Sequence, residues 1–228
     1  MKELIVEGKN ITIYPSSSQD APFVWLNVYD GNGLEEHERL KEIGAPDHTL
    51  IAVGGVDYDN DLSPWPAPAV FKGQEDFAGG ADEYLKLLTG MIMPKVAEIL
   101  DSELGLRPAY NALAGYSMGG LFTLYAMIKT GVFKRFVSAS GSLWYPGFFE
   151  KLKDAEFPAE PEALYISLGG KEAKTNNTVM AQVETRTRAV RDLLSERGVD
   201  VTLEMNPGNH FREPDMRTAK GIKWILER

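Results

Sequence analysis

The chain has 228 residues, of which 43% are apolar and 25% charged, with a formal net charge of −9 and no cysteine. The missing thiols exclude disulfides, thiolate metal sites and cysteine nucleophiles. The acidic balance, with no basic stripe, argues against nucleic acid as a partner. No apolar run approaches the roughly 18 residues needed to cross a bilayer, so a membrane partner is not expected.

In chain order, β-branched and aromatic runs predict strands at 4–8, 11–16, 23–30, 49–55, 110–116, 133–141, 163–169 and 201–207, most of them closed by Gly, Asp, Asn or Pro. Helices are predicted at 34–43, 80–102, 119–130, 176–197 and 214–227. In the fourth, Val179, Val183, Val190, Leu193 and Leu194 recur at helical spacing, and the last opens on Pro214. The early strands, joined by short turns, should pair antiparallel, and the later ones, separated by helices, should run parallel. The expectation is a single domain over 1–228, built on a mixed, mostly parallel sheet of about eight strands with helices on both faces. Ligands of such sheets sit beyond the carboxyl ends of the strands. The charged opening MKELIVEGKN does not read as a signal peptide, and a cytoplasmic location is expected.

After the strand at 110–116 comes Gly115-Tyr116-Ser117-Met118-Gly119, a G-x-S-x-G pattern between a strand and a helix. A serine in a strained turn needs small neighbours two positions either side so that strand and helix can approach. The helix that follows points free N–H groups at the serine, and these can hold an oxyanion, with Met118 supplying one. Loop Tyr29-Asp30-Gly31-Asn32-Gly33, after an early strand, is the expected source of a second donor. A serine hydroxyl needs a base. His37 falls on an expected exposed helix face, and His48 precedes a strand. Only His210, in NPGNHF, follows one. The orienting carboxylate should follow the strand at 163–169, where Glu172 is the acidic residue of GGKEAKTNN. Asp154, Glu156, Glu160 and Glu162 precede that strand and belong to the other end of the sheet. Tyr116, Trp144 and Trp65 are candidate substrate-binding residues, with core packing as the alternative for the tryptophans. Neither metal nor cofactor is expected. Asp57, Asp59 and Asp61 alternate as in a calcium loop, but Leu62 and Pro68 stand where an EF-hand needs Gly and Glu, and no two histidines share a close spacing.

Together, NVYDGNG, DLSPWP, NALAGYSMGGLFTLYAM, SASGSLWYPGFF, LYISLGGKEAKTNNTVM and GNHF resemble the α/β-hydrolase fold. The resemblance is to the group that includes enterochelin esterases, esterase D and the mycolyltransferases, and it is closest to the enterochelin-esterase-like branch. It implies a serine esterase acting through an acyl-enzyme, with Ser117 as nucleophile, His210 as base and Glu172 as acid. It also implies that the second oxyanion donor is the N–H of Asn32. The alternatives are an acyltransferase using the same acyl-enzyme and an inactive hydrolase-fold binding module. The expected partner is a small-molecule ester, and self-association into a homo-oligomer is left open. Siderophore esterases resemble one another in basic residues at the mouth, whereas this chain has Asp57, Asp59 and Asp61, which favours a neutral or positively charged ester.

Overall fold

A computed structural model describes residues 1–71 and 73–228. Eight strands form one sheet in the order β1-β2-β4-β3-β5-β6-β7-β8. They are β1 (Lys2–Val6), β2 (Lys9–Tyr14), β3 (Phe23–Asn27), β4 (Thr49–Gly54), β5 (Asn111–Tyr116), β6 (Arg135–Ala139), β7 (Ala163–Gly169) and β8 (Asp200–Asn206). Only β1–β2 and β2–β4 are antiparallel, and every pairing from β4 through β8 is parallel. The antiparallel expectation therefore holds for β1 and β2 and fails for β3, which is parallel to both β4 and β5. The segment between Tyr14 and Phe23 carries the chain past β2's other neighbour, β4, to a central position. There β3 is buried at every residue, as a strand covered on both faces must be.

Alternate residues of the central strands feed two cores. Phe23 and Trp25 point to one face and Val24 and Leu26 to the other. Helices α1 (Leu34–Glu42) and α7 (Pro214–Leu226) cover the second face, where Leu40, Ala219, Ile222 and Ile225 pack on Val24, Ala114 and Val137. The first face carries α2 (Ala81–Leu87), α3 (Met93–Leu104), α4 (Met118–Met127), α5 (Phe148–Asp154) and α6 (Val183–Glu196). Strand β5 and helix α4 lie at the centre of this arrangement, and α4 is buried along its whole length.

Three helical expectations change in detail, and the helix expected at 176–197 begins only at Val183, which leaves Val179 outside it and exposed. The helix expected at 80–102 is interrupted by a π-helical turn at Leu88–Ile92. Pro94, which lacks an N–H and crowds the carbonyl of Gly90, sits at the start of α3 and accounts for the widened turn before it. Helix α5 was not expected: FFEKLKD is too short to show a period, and it forms because Phe148 and Leu152 are buried against the core.

Candidate active site

The parallel strands β3, β5, β6, β7 and β8 end on one side of the molecule, and the candidate residues gather there. β5 ends at Tyr116, and α4 begins at Met118. Between them Ser117 adopts φ 55° and ψ −118°, a strained conformation for a residue with a side chain. The turn closes only because its flanks are glycine. A Cβ on Gly115 would lie 2.3 Å from the backbone of Gly119, and one on Gly119 would lie 2.6 Å from the Tyr58 hydroxyl. That hydroxyl shares its one proton between the carbonyls of Asn27 (3.0 Å) and Tyr116 (3.2 Å), so the exits of β3 and β5 are tied together.

The structure brings Ser117, His210 and Glu172 into one line. His210 Nε2 is 3.0 Å from Ser117 Oγ, and His210 Nδ1 is 2.7 Å from Glu172 Oε2. The other Glu172 oxygen, Oε1, accepts from the N–H of Gly169 (2.6 Å) and from Arg217 Nη1 (3.0 Å). Both ends of this ion pair are buried: the side chains are 4% exposed at Glu172 and 2% at Arg217. Arg217 also donates to Ser140 Oγ (3.0 Å) and to the carbonyls of Pro207 (3.1 Å) and Asn209 (2.9 Å), so one guanidinium joins the acid to the loop that carries His210. Tyr116 donates its hydroxyl to the His210 carbonyl from the other side, and burial pushes its phenol pKa up.

Sequence reasoning missed Arg217. It is the fourth residue of α7 and one of 24 basic residues, with nothing in its neighbours to mark it. It also missed Ser142, whose hydroxyl is 3.4 Å from Ser117 Oγ. A signal was available there, since a serine just past the strand next to the elbow must come near the nucleophile.

Around these residues opens a cavity of about 890 Å³, lined by Ser117, Met118, Ser142, His210 and Glu172 at its floor. Tyr116 and Trp144 line it, together with Tyr29, Phe71, Phe77 and Phe211. Trp65 is not among the lining residues. Its indole N–H donates to the Pro146 carbonyl (3.0 Å), and its ring stacks on Phe148 as packing beneath the wall.

Asn32 is likewise not among the lining residues. Its carbonyl accepts from Tyr14 Oη (3.3 Å), its Oδ1 from the N–H of Leu34 (3.3 Å), and its Nδ2 faces Glu3 (3.5 Å). The strand register explains this placement. Asn27 pairs with Gly115, so continuing both chains sets Tyr29, not Asn32, beside Ser117.

Asp30, Glu35, Glu36 and Asp59 also line the cavity, against Lys171 and Lys174. Burial pushes the Glu36 carboxyl above its usual range, with Glu35 and Asp215 adding to the effect. Of the three aspartates singled out in the sequence only Asp59 reaches this wall. Asp61 pairs with Lys9 (2.8 Å), and Asp57 accepts from Asn60 (2.9 Å).

The two remaining histidines lie elsewhere. His37 stacks on Tyr14, with ring centroids 4.1 Å apart, rather than standing free on α1, and His48 Nδ1 contacts the Pro46 carbonyl (2.7 Å). Among the described residues no group of three or more His, Cys, Asp or Glu is placed to hold a metal ion, and no helix is long and apolar enough to cross a membrane.

The model of the family described as "Putative esterase" matches residues 8–214. The uncharacterized protein YbbA of Bacillus subtilis (strain 168) is 25% identical over 233 residues, which cover 96% of this chain and 92% of YbbA. The siderophore enterobactin esterase of Emericella nidulans is 30% identical over 156 residues, covering 57% of this chain and 49% of its own. Among solved structures, the siderophore hydrolase EstA from Aspergillus nidulans superposes with a TM-score of 0.74 at 21% identity, covering 96% of this chain and 90% of EstA. An IroE-like serine hydrolase from Shewanella oneidensis gives 0.76 at 18% identity, covering 96% and 76%. At these identities the two structures speak for the α/β-hydrolase fold.

Proposed function

The chain belongs to the "Putative esterase" family and is a hydrolase acting on esters, and from that premise we propose that it is a serine esterase working through an acyl-enzyme on Ser117. The observation that carries this reading is the hydrogen-bonded line from Ser117 Oγ through His210 to Glu172, at 3.0 and 2.7 Å. His210 Nε2 takes the hydroxyl proton as Ser117 Oγ bonds to the ester carbonyl carbon. The imidazolium returns that proton to the departing alcohol oxygen, and a water activated by the same nitrogen then hydrolyses the acyl-enzyme. Glu172 holds the Nδ1–H tautomer and stabilises the imidazolium.

The oxyanion rests on the N–H of Met118, at the open end of α4, and on a second donor from the exit of β3. That second donor is Tyr29. The N–H of Val28 is engaged with the Val53 carbonyl of β4 (3.1 Å), and donors alternate sides along a strand, which turns the Tyr29 N–H toward β5 and the elbow. Two of the proteins named above are a siderophore enterobactin esterase and a siderophore hydrolase. The carboxylates on this cavity wall favour a neutral or positively charged ester over a polyanionic one.

The test is covalent labelling. A fluorophosphonate should modify the wild-type protein on Ser117 and should leave Ser117→Ala, folded as judged by circular dichroism, unmodified. A folded wild-type protein that takes no label at any pH where imidazole is neutral would sink the proposal.

A further inference from the structure

We propose that the Ser142 hydroxyl is a further catalytic group of this site, donating a hydrogen bond to Ser117 Oγ and steadying the charge that atom carries during reaction. The inference rests on the serine-esterase reading above and adds a fourth member to its hydrogen-bonded line.

Ser142 is placed by the turn after β6. β6 ends at Ala139, Ser140 takes φ 44°, and Gly141 packs so closely on α4 that a Cβ on Gly120 would lie 2.9 Å from the Gly141 Cα. The backbone is locked to the elbow from both directions: the Ser117 N–H donates to the Ala139 carbonyl (3.1 Å), and the Ser142 N–H donates to the Ser117 carbonyl (3.0 Å). The Ser142 side chain is therefore delivered to the nucleophile by main-chain bonds that do not depend on its hydroxyl. The residue is 3% exposed and lines the cavity floor, and its Oγ lies 3.4 Å from Ser117 Oγ.

The direction of this contact follows from the rest of the chain. Glu172 is a carboxylate held by Arg217, so it only accepts, and neutral His210 must donate from Nδ1. Nε2 is then the acceptor, and Ser117 uses its one proton there. Oγ of Ser117 has no proton left for Ser142, so Ser142 is the donor. At 3.4 Å the contact is longer than a settled O–H···O bond, and it tightens as charge collects on the acceptor.

No proton leaves Ser142. In acylation Ser117 Oγ loses its proton to Nε2 and bonds to the carbonyl carbon through one electron pair while another accepts from Ser142. In deacylation the Oγ–C bond breaks, the electron pair returns to Oγ, and Nε2–H restores the proton. The Ser142 donor eases both passages, in which Oγ carries alkoxide character.

Ser142→Ala and Ser142→Thr are to be compared with wild type by fluorophosphonate labelling rate, steady-state hydrolysis of p-nitrophenyl acetate and thermal melting. Alanine removes one oxygen and keeps the main-chain bond to Ser117. The expected loss in Ser142→Ala is about fivefold to tenfold in both labelling rate and kcat, the size of one neutral hydrogen bond made mainly in the transition state. KM and melting temperature should stay at wild-type values, whereas a packing defect would move them. Ser142→Thr, which keeps the hydroxyl, should recover to within about threefold of wild type. The proposal is overturned if Ser142→Ala reacts at the wild-type rate, or if Ser142→Thr loses as much as Ser142→Ala. Failure of wild type itself to label is a different result, because it removes the serine-esterase reading on which this one stands.

Discussion

Glu172 lies between an imidazole and a guanidinium. Its Oε2 faces His210, and its Oε1 is held by Arg217 and the Gly169 N–H. A buried carboxylate without Arg217 would be a stranded charge, and breaking such a pair costs roughly 3–5 kcal/mol. Arg217→Met should therefore lower the unfolding free energy by about 3 kcal/mol, read from urea denaturation. It should also lower kcat, because the loop carrying His210 loses two carbonyl anchors. Glu172→Gln keeps the shape and removes the charge. Its kcat should fall, but roughly fiftyfold to a hundredfold less than in His210→Ala, because nucleophile and base act as a unit and the acid only orients the base. A Glu172→Gln enzyme at full wild-type rate would exclude the carboxylate from the mechanism.

Among the elements, the strand-turn-helix from β5 to α4 presents Ser117 to the cavity, and its shape depends on absent side chains. Gly115→Ala would drive a methyl into the Gly119 backbone, which cannot yield as a flexible side chain could. This variant should lose at least about 2 kcal/mol of stability together with its activity. Gly90, in the π-helical turn, is the contrast: a Cβ there meets nothing within 4 Å. Gly90→Ala should raise stability by about 0.5–1 kcal/mol and leave hydrolysis unchanged, as measured by thermal melting and kcat. Comparing the two variants separates a glycine required by close approach from one that is not.

At the scale of the whole molecule, the sheet order sets where charge accumulates. Parallel strands bring Asp30, Glu35, Glu36 and Asp59 to the same side as Ser117, and the chain's net charge of −9 adds a long-range field of the same sign. Esters of matched length bearing a trimethylammonium group, no charge or a carboxylate should rank in that order by kcat/KM. The first and last should differ by about tenfold at low salt. The gap should narrow as the Debye length falls from about 30 Å at 0.01 M salt to about 8 Å at 0.15 M. A carboxylate ester turned over fastest would show that Lys171 and Lys174, not the acidic wall, govern recognition.

Whatever depends on near neighbours along the chain is legible in the residues alone. The alternation of strand and helix, the elbow at Ser117 and the order Ser117, Glu172, His210 all rest on steric and hydrogen-bonding rules that act over a few residues. Those rules also place ligands past the carboxyl ends of parallel strands. Which strands become neighbours emerges only on folding, because pairing is set by burial of whole faces rather than by turn length. That is why β3 lies parallel between β4 and β5, and why Tyr29 rather than Asn32 lines the cavity with Ser117. It is also why Trp65 packs beneath the wall while Trp144 lines it. Arg217 belongs to the same class, since its guanidinium is brought to 3.0 Å from Glu172 across 45 positions of chain, a proximity that no local pattern encodes.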